Sequence, residues 1–162
     1  NISNTVKEVA EAKGNETLND LYCGTGSMGI FLSKDVGKII GVETVEDAIK
    51  DAKINAEKNK LLNVEYYAGD VIKICNQTFF EKHGKPDIVV IDPPRAGCHQ
   101  TLLDKLLDIQ SPKIIYVSCN PATQARDMQL LSAKYDIAKS QAVDMFPHTH
   151  HVENVALLTL KK

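Results

Sequence analysis

The chain lacks what a domain gripping nucleic acid unaided usually carries. Its net charge is −2 and aromatic residues make up 6% of its 162 positions. No patch interleaves basic residues with rings, which argues against a purely binding RNA module. Cysteine is scarce: Cys23, Cys75, Cys98 and Cys119 are far apart and form no CxxC pair. Neither a zinc site nor a disulfide framework is expected, and the spacing suits a reducing compartment. His148, His150 and His151 are close together, but no second ligand cluster accompanies them, so no metal is expected. These histidines are expected to order their loop or to approach a substrate. No apolar run nears the roughly 20 residues of a membrane helix. No secretory signal pattern occurs either, and the expected setting is cytoplasmic, away from membranes. Position 1 is Asn rather than Met, so a piece excised from a longer protein is expected.

What is present is an ordinary globular composition, 43% hydrophobic and 25% charged, over a length that suits one domain spanning 1–162. Strand and helix patterns alternate. Helices are expected at Ser3–Lys13, Met28–Lys34, after a Thr44 cap, over Val71–Lys82, over Thr101–Ile109 and from Asn120–Pro121 onward. In the Thr44 helix the expected buried face is Val45, Ala48, Ile49, Ala52 and Ala56. Strands are expected at Thr17–Tyr22, Lys38–Glu43, Asn63–Asp70, Asp87–Asp92, "KIIYVS", Tyr135–Val143 and Val152–Leu160. Such alternation implies an α/β fold with a mostly parallel sheet covered by helices on both faces. The last two strands have no helix between them and are expected to pair antiparallel at one edge.

"LYCGTGSMG" places Gly24, Gly26 and Gly29 between a strand and a helix. Glycines there allow a sharp turn and close approach to a ligand. Glu43 ends the next strand, 17 residues after Gly26, where an acid typically accepts hydrogen bonds from ribose hydroxyls. The pair fits an adenosine-containing cofactor, and NAD and S-adenosylmethionine satisfy it equally. Asp70 has two readings: contact with the adenine edge of that ligand, or the cap of the following helix.

Three further features lie at strand ends, where open α/β sheets bind ligands. "IDPPRAG" puts Asp92 before two stiffening prolines, and Arg95 could hold a phosphate or a base carbonyl. "YVSCNPAT" puts Cys119 between a strand and a helix whose positive end favours a thiolate. The cysteine is either a filler or a nucleophile, and Cys23, Cys75 and Cys98 are better fillers. Glu153 interrupts an apolar strand, and a partly buried carboxylate with a raised pKa makes a plausible base.

"DLYCGTG", "IDPPRAG", "YVSCNPAT" and "DMFPHTHHVE", in this order, resemble the RNA uracil-5-methyltransferases. The resemblance covers nearly the whole chain. It implies a class I S-adenosylmethionine-dependent methyltransferase fold, Rossmann-like, and 5-methyluridine formation in rRNA or tRNA. It further implies Cys119 as nucleophile, Glu153 as general base, and cofactor contacts from Tyr22, Ser27, Glu43, Asp70 and Asp92 beside the Gly24–Gly26 turn. Relatives often carry asparagine at the position of Ser27. The family also implies a preceding phenylalanine-glutamine segment that helps bind the cofactor. An N-terminal RNA-binding domain is implied as well, in some members with an iron–sulfur cluster. Residues 1–162 are then the catalytic domain, with RNA affinity helped from outside it.

The chemistry accounts for the residue types. Carbon 5 of uracil is a poor nucleophile, and a thiolate adding at carbon 6 makes it electron-rich. A base must then remove the carbon-5 proton so that the thiolate can leave, which needs one nucleophile and one base. The target base must be unstacked to reach them. Two other readings explain less. A base-amino methyltransferase needs no cysteine and has an aromatic where Arg95 stands. A NAD-dependent oxidoreductase leaves Cys119, Glu153 and the Pro-Pro loop without roles.

Overall fold

The computed structural model describes residues 1–144 and 152–162. In chain order the elements are α1 (Ile2–Ala10), β1 (Thr17–Leu21), α2 (Ser27–Leu32), β2 (Lys38–Glu43) and α3 (Glu46–Lys58). Next come β3 (Val64–Ala68), α4 (Val71–Ile74), α5 (Gln77–His83), β4 (Ile88–Ile91) and α6 (Gln100–Ile109). The chain ends with β5 (Lys113–Ser118), α7 (Pro121–Leu131), β6 (Tyr135–Asp144) and β7 (Val152–Leu160). The strands form a seven-stranded, mostly parallel sheet of order β3-β2-β1-β4-β5-β7-β6. The expected Rossmann-like α/β class and the antiparallel final pair are both borne out. Among the described residues, no helix is long and apolar enough to cross a membrane. The chain divides into two compact units, Ala12–Val90 and Asn1–Glu11 with Ile91–Lys162.

In the unit Ala12–Val90, β1 pairs parallel with β2 and β2 with β3. Leu18, Ile39, Ile40 and Val42 are fully buried, as strands covered on both faces require. Ile49, Ala52 and Ala56 of α3 share one helical face and cover Cys23 and Tyr66. Three expectations fail here, the first being Val45, which precedes α3 in the chain and is exposed rather than part of its buried face. Thr44 does not cap α3; Val45 holds that position, without a side-chain cap, and is 57% exposed. The Glu43 carboxylate instead accepts from Val45 N–H at 2.9 Å, supplying the capping charge from the strand end. The single helix expected over Val71–Lys82 is two, because Asn76 accepts from Phe79 N–H and starts a second one.

In the other unit, α1 starts at an Asn1 cap and lays Val6, Val9 and Ala10 on β5 and β7. Ile114–Val117 of β5 and Val155, Ala156 and Leu158 of β7 are fully buried. β5 and β7 pair antiparallel from Lys113↔Thr159 to Ser118↔Asn154. β6 pairs with β7 out to Asp144↔Val152. Asn120 caps α7, accepting from Ala122 and Thr123 N–H, with Pro121 at the first position as the sequence predicts.

Candidate active site

The glycine turn is held from two sides. Tyr22 and Cys23 donate their N–H groups to Val42 O at 2.9 and 3.1 Å. Gly24 N–H donates to Glu43 Oε1 at 3.1 Å. Glu43 thus ties the end of β2 to the turn after β1 while remaining half-buried. Gly24 has φ 56°, and an added Cβ there would meet nothing within 4 Å. A glycine backbone facing open space beside a carboxylate is what an adenosine-bearing ligand needs. Ser27, exposed, is the first residue of α2, whose cap is Gly26.

Below the turn lies a residue that sequence reasoning missed. The Tyr66 hydroxyl would stand 2.7 Å from a Cβ on Gly26, and its ring 2.6 Å from one on Gly41. The hydroxyl is buried and makes no hydrogen bond among the described residues. Burial, then the Cys23 thiol and the Asp20 carboxylate, push its pKa up to about 12. Cys23 is likewise pushed up, by burial and by the charges of Asp20 and Glu43. Both are fillers that shape the turn. Asp70 caps α4, accepting from Ile72 N–H at 2.9 Å, which is the second of its two readings.

Around Cys119 the geometry is tighter. Cys119 is exposed, whereas Cys23, Cys75 and Cys98 are buried. The Ser118 hydroxyl accepts from Asn120 N–H and donates to Asn120 O, both at 2.9 Å, clamping the backbone around the thiol. The loop after β4 is fastened to the same helix. Arg95 O accepts from Asn120 Nδ2 at 3.2 Å and from Thr123 Oγ1 at 3.0 Å. Arg126 Nη2 donates to Ala96 O at 2.9 Å. Beneath it, Asp127 is fully buried and accepts from Cys98 N–H at 2.8 Å and from the Tyr116 hydroxyl at 2.6 Å.

Asp92 leads this loop. The residue as a whole is exposed, while protein atoms gather round its carboxyl. Burial, then the charge of Glu153, push its pKa up to about 6, both causes acting in one direction. Glu153 is half-buried near the start of β7. The β5–β7 ladder ends at Ser118↔Asn154. Cys119 is the residue after that last pair on β5 and Glu153 the residue before it on β7, and Glu153 is close enough to Asp92 for its charge to be felt. His148, His150 and His151 lie outside the described residues.

A family model for tRNA (uracil-5-)-methyltransferase matches residues 2–161. A Bacteroides thetaiotaomicron protein named an uncharacterized RNA methyltransferase is 51% identical over 161 residues, covering 99% of this chain and 36% of that protein. The crystal structure of a Pyrococcus abyssi tRNA (uracil-54, C5)-methyltransferase in complex with S-adenosyl-L-homocysteine is 39% identical, with a TM-score of 0.82. That match covers 96% of this chain and 37% of the other. The N-methyltransferase NodS from Bradyrhizobium japonicum is similar in fold alone, at 11% identity and a TM-score of 0.77, covering 99% and 95% of the two chains. The chain thus spans about a third of the length of the curated relatives it matches.

Proposed function

The chain belongs to the tRNA (uracil-5-)-methyltransferase family, and on that premise we propose that it methylates carbon 5 of a uridine in RNA, using S-adenosylmethionine. The observation that carries this reading is the β5–β7 ladder, which ends at Ser118↔Asn154, one residue before Cys119 and one residue after Glu153 in the chain. Supporting it, Cys119 is the exposed thiol of the four.

The cofactor residues in this reading are Tyr22, Gly24, Gly26, Ser27, Glu43, Asp70 and Asp92. Open space at Gly24 and the tethered Glu43 carboxylate fit an adenosine moiety. The S-adenosyl-L-homocysteine complex of the Pyrococcus abyssi protein supports the choice of cofactor. When bound, S-adenosylmethionine supplies a sulfonium methyl that an electron-rich carbon 5 takes up. The residues of this chain do the rest. The Cys119 thiolate adds to uracil carbon 6, and the electron pair of the double bond moves toward carbon 5 and the carbonyl oxygen. Glu153 then takes the carbon-5 proton. The electrons of that C–H bond re-form the double bond, and the carbon–sulfur bond breaks, freeing Cys119.

With a net charge of −2, these residues offer little attraction to phosphates. Part of the affinity for rRNA or tRNA is therefore assigned to sequence outside them, the matched relatives being far longer. Four cysteines far apart in sequence, with no CxxC pair, suit a cytoplasmic setting.

The test uses the full gene product with RNA and cofactor on a denaturing gel. Glu153→Gln should accumulate a slow-migrating protein–RNA adduct that disappears in the Cys119→Ala background. Continued methylation by Cys119→Ala would rule out the carbon-6 adduct. Normal turnover by Glu153→Gln would assign the base to another group.

A further inference from the structure

The β5–β7 ladder stops one residue short of Glu153, at Ser118↔Asn154. β6 still holds Glu153, through Val143, but β6 does not carry Cys119. A separate contact spans this gap. Gln124, in the helix that begins two residues after Cys119, is 1% exposed. Its Nε2 donates to Tyr116 O at 3.0 Å and to Asn154 O at 3.2 Å. Its Oε1 accepts from Asn154 Nδ2 at 2.8 Å. Asn154 Nδ2 donates again, to Ser140 Oγ at 3.0 Å. Both Gln124 amide protons meet backbone carbonyls, so the orientation of the amide is determined. One side chain thereby joins the nucleophile's strand, the nucleophile's helix and the residue after Glu153.

We infer that Gln124 and Asn154 are a positioning pair that holds Glu153 in register with Cys119 for removal of the carbon-5 proton. The inference rests on the roles proposed above for Cys119 and Glu153. Both amides are engaged by protein groups, so the role assigned to them is positioning. Proton transfer requires heavy atoms within hydrogen-bond reach, and displacements near 1 Å cost about 100-fold in rate. Addition of the thiolate does not involve Glu153. Loss of the pair should therefore slow the second half of the reaction selectively, leaving the carbon–sulfur bond formed and the carbon-5 proton in place.

Gln124→Leu, of similar volume, is tested in the full gene product beside Glu153→Gln. Turnover should fall about 10- to 100-fold while KM for RNA and cofactor changes little. The covalent adduct should accumulate, as in Glu153→Gln, and should require Cys119. The double variant Gln124→Leu/Asn154→Val removes both the buried Gln124 amide and its half-buried Asn154 partner, so its Tm should recover part of the way toward wild type while the adduct persists. Wild-type turnover by Gln124→Leu, loss of methyl transfer without adduct, or restored turnover in the double variant would each overturn the inference. If Glu153→Gln traps adduct and Gln124→Leu does not, this inference alone falls. If Glu153→Gln turns over normally, the assignment of the base falls and the positioning role with it.

Discussion

Asp127 should be among the most costly single residues to remove. Its carboxylate is fully buried and accepts from Cys98 N–H, the Tyr116 hydroxyl and the Arg126 guanidinium. Asp127→Ala leaves the first two donors buried without an acceptor, at about 1–3 kcal/mol each. Arg126 is half exposed at 55% and can turn to water, so its loss adds little. The sum is about 2–6 kcal/mol, in line with about 3–5 for breaking a buried charged network. For a domain of this size that should lower Tm by about 10 °C. Tyr116→Phe removes a donor together with its need, and should cost about 1.5–3 kcal/mol. In the double variant the two losses should be less than additive, since Tyr116 no longer needs Asp127. Urea unfolding of the four proteins measures every term. An Asp127→Ala protein within about 1 kcal/mol of wild type would refute this account, because two stranded donors cannot cost so little.

Three other outcomes follow from the site. Glu43→Ala should weaken S-adenosylhomocysteine binding by about 1.5–3 kcal/mol in calorimetry; unchanged affinity would remove Glu43 from the cofactor site. Gly26→Ala should destabilise the turn, since φ is 80° and its Cβ would meet the Tyr66 hydroxyl at 2.7 Å. Tyr66→Phe should return part of that loss, and a wild-type Tm for Gly26→Ala alone would contradict the geometry. Asp92 binds its proton more tightly folded, near 6, than at its ordinary value of 3.8. Its contribution therefore lowers stability as pH rises through that window, with the loss complete above it. Asp92→Asn should raise Tm near neutral pH and flatten the profile between those values; a lowered Tm at neutral pH would reverse the sign. NMR titration should show the Asp92 pKa falling in Glu153→Gln.

Elements written in local chemistry were legible in the sequence. The Lys38–Glu43 and Lys113–Ser118 strands and the Asn120–Pro121 helix start match the structure residue for residue. Apolar runs, a capping amide and a proline with fixed φ act within a few residues. Cys119, directly after β5 and before the helix that Pro121 starts, is exposed, and the three thiols expected to be fillers are buried, Cys23 among them although it too follows a strand. What escaped depends on distant partners. Gln124 and Asp127 lie with Leu131 on the buried face of α7, where residue type assigns them to solvent. Their partners are on β5, on β7 and in the loop after β4, and no local pattern announces them. The Glu43 contact at the start of α3 escaped for a related reason. A strand-end carboxylate performed a task expected of Thr44.

The ring of Tyr66 also limits the order in which this unit can change. A methyl group at position 41 would lie 2.6 Å from the Tyr66 ring and 2.9 Å from Cys23 Sγ. Glycine weakens a strand interior, so alanine at 41 would otherwise be an improvement of roughly 0.5–1 kcal/mol. That improvement is closed while the ring stands. A lineage must first shrink residue 66, accepting a void beneath the turn into which Cys23 Sγ can also shift, before a larger residue at 41 becomes neutral or better. Gly41 and Tyr66 are therefore bound in sign epistasis. The glycine that looks like a lapse in β2 will persist for as long as the tyrosine two strand positions into β3 does.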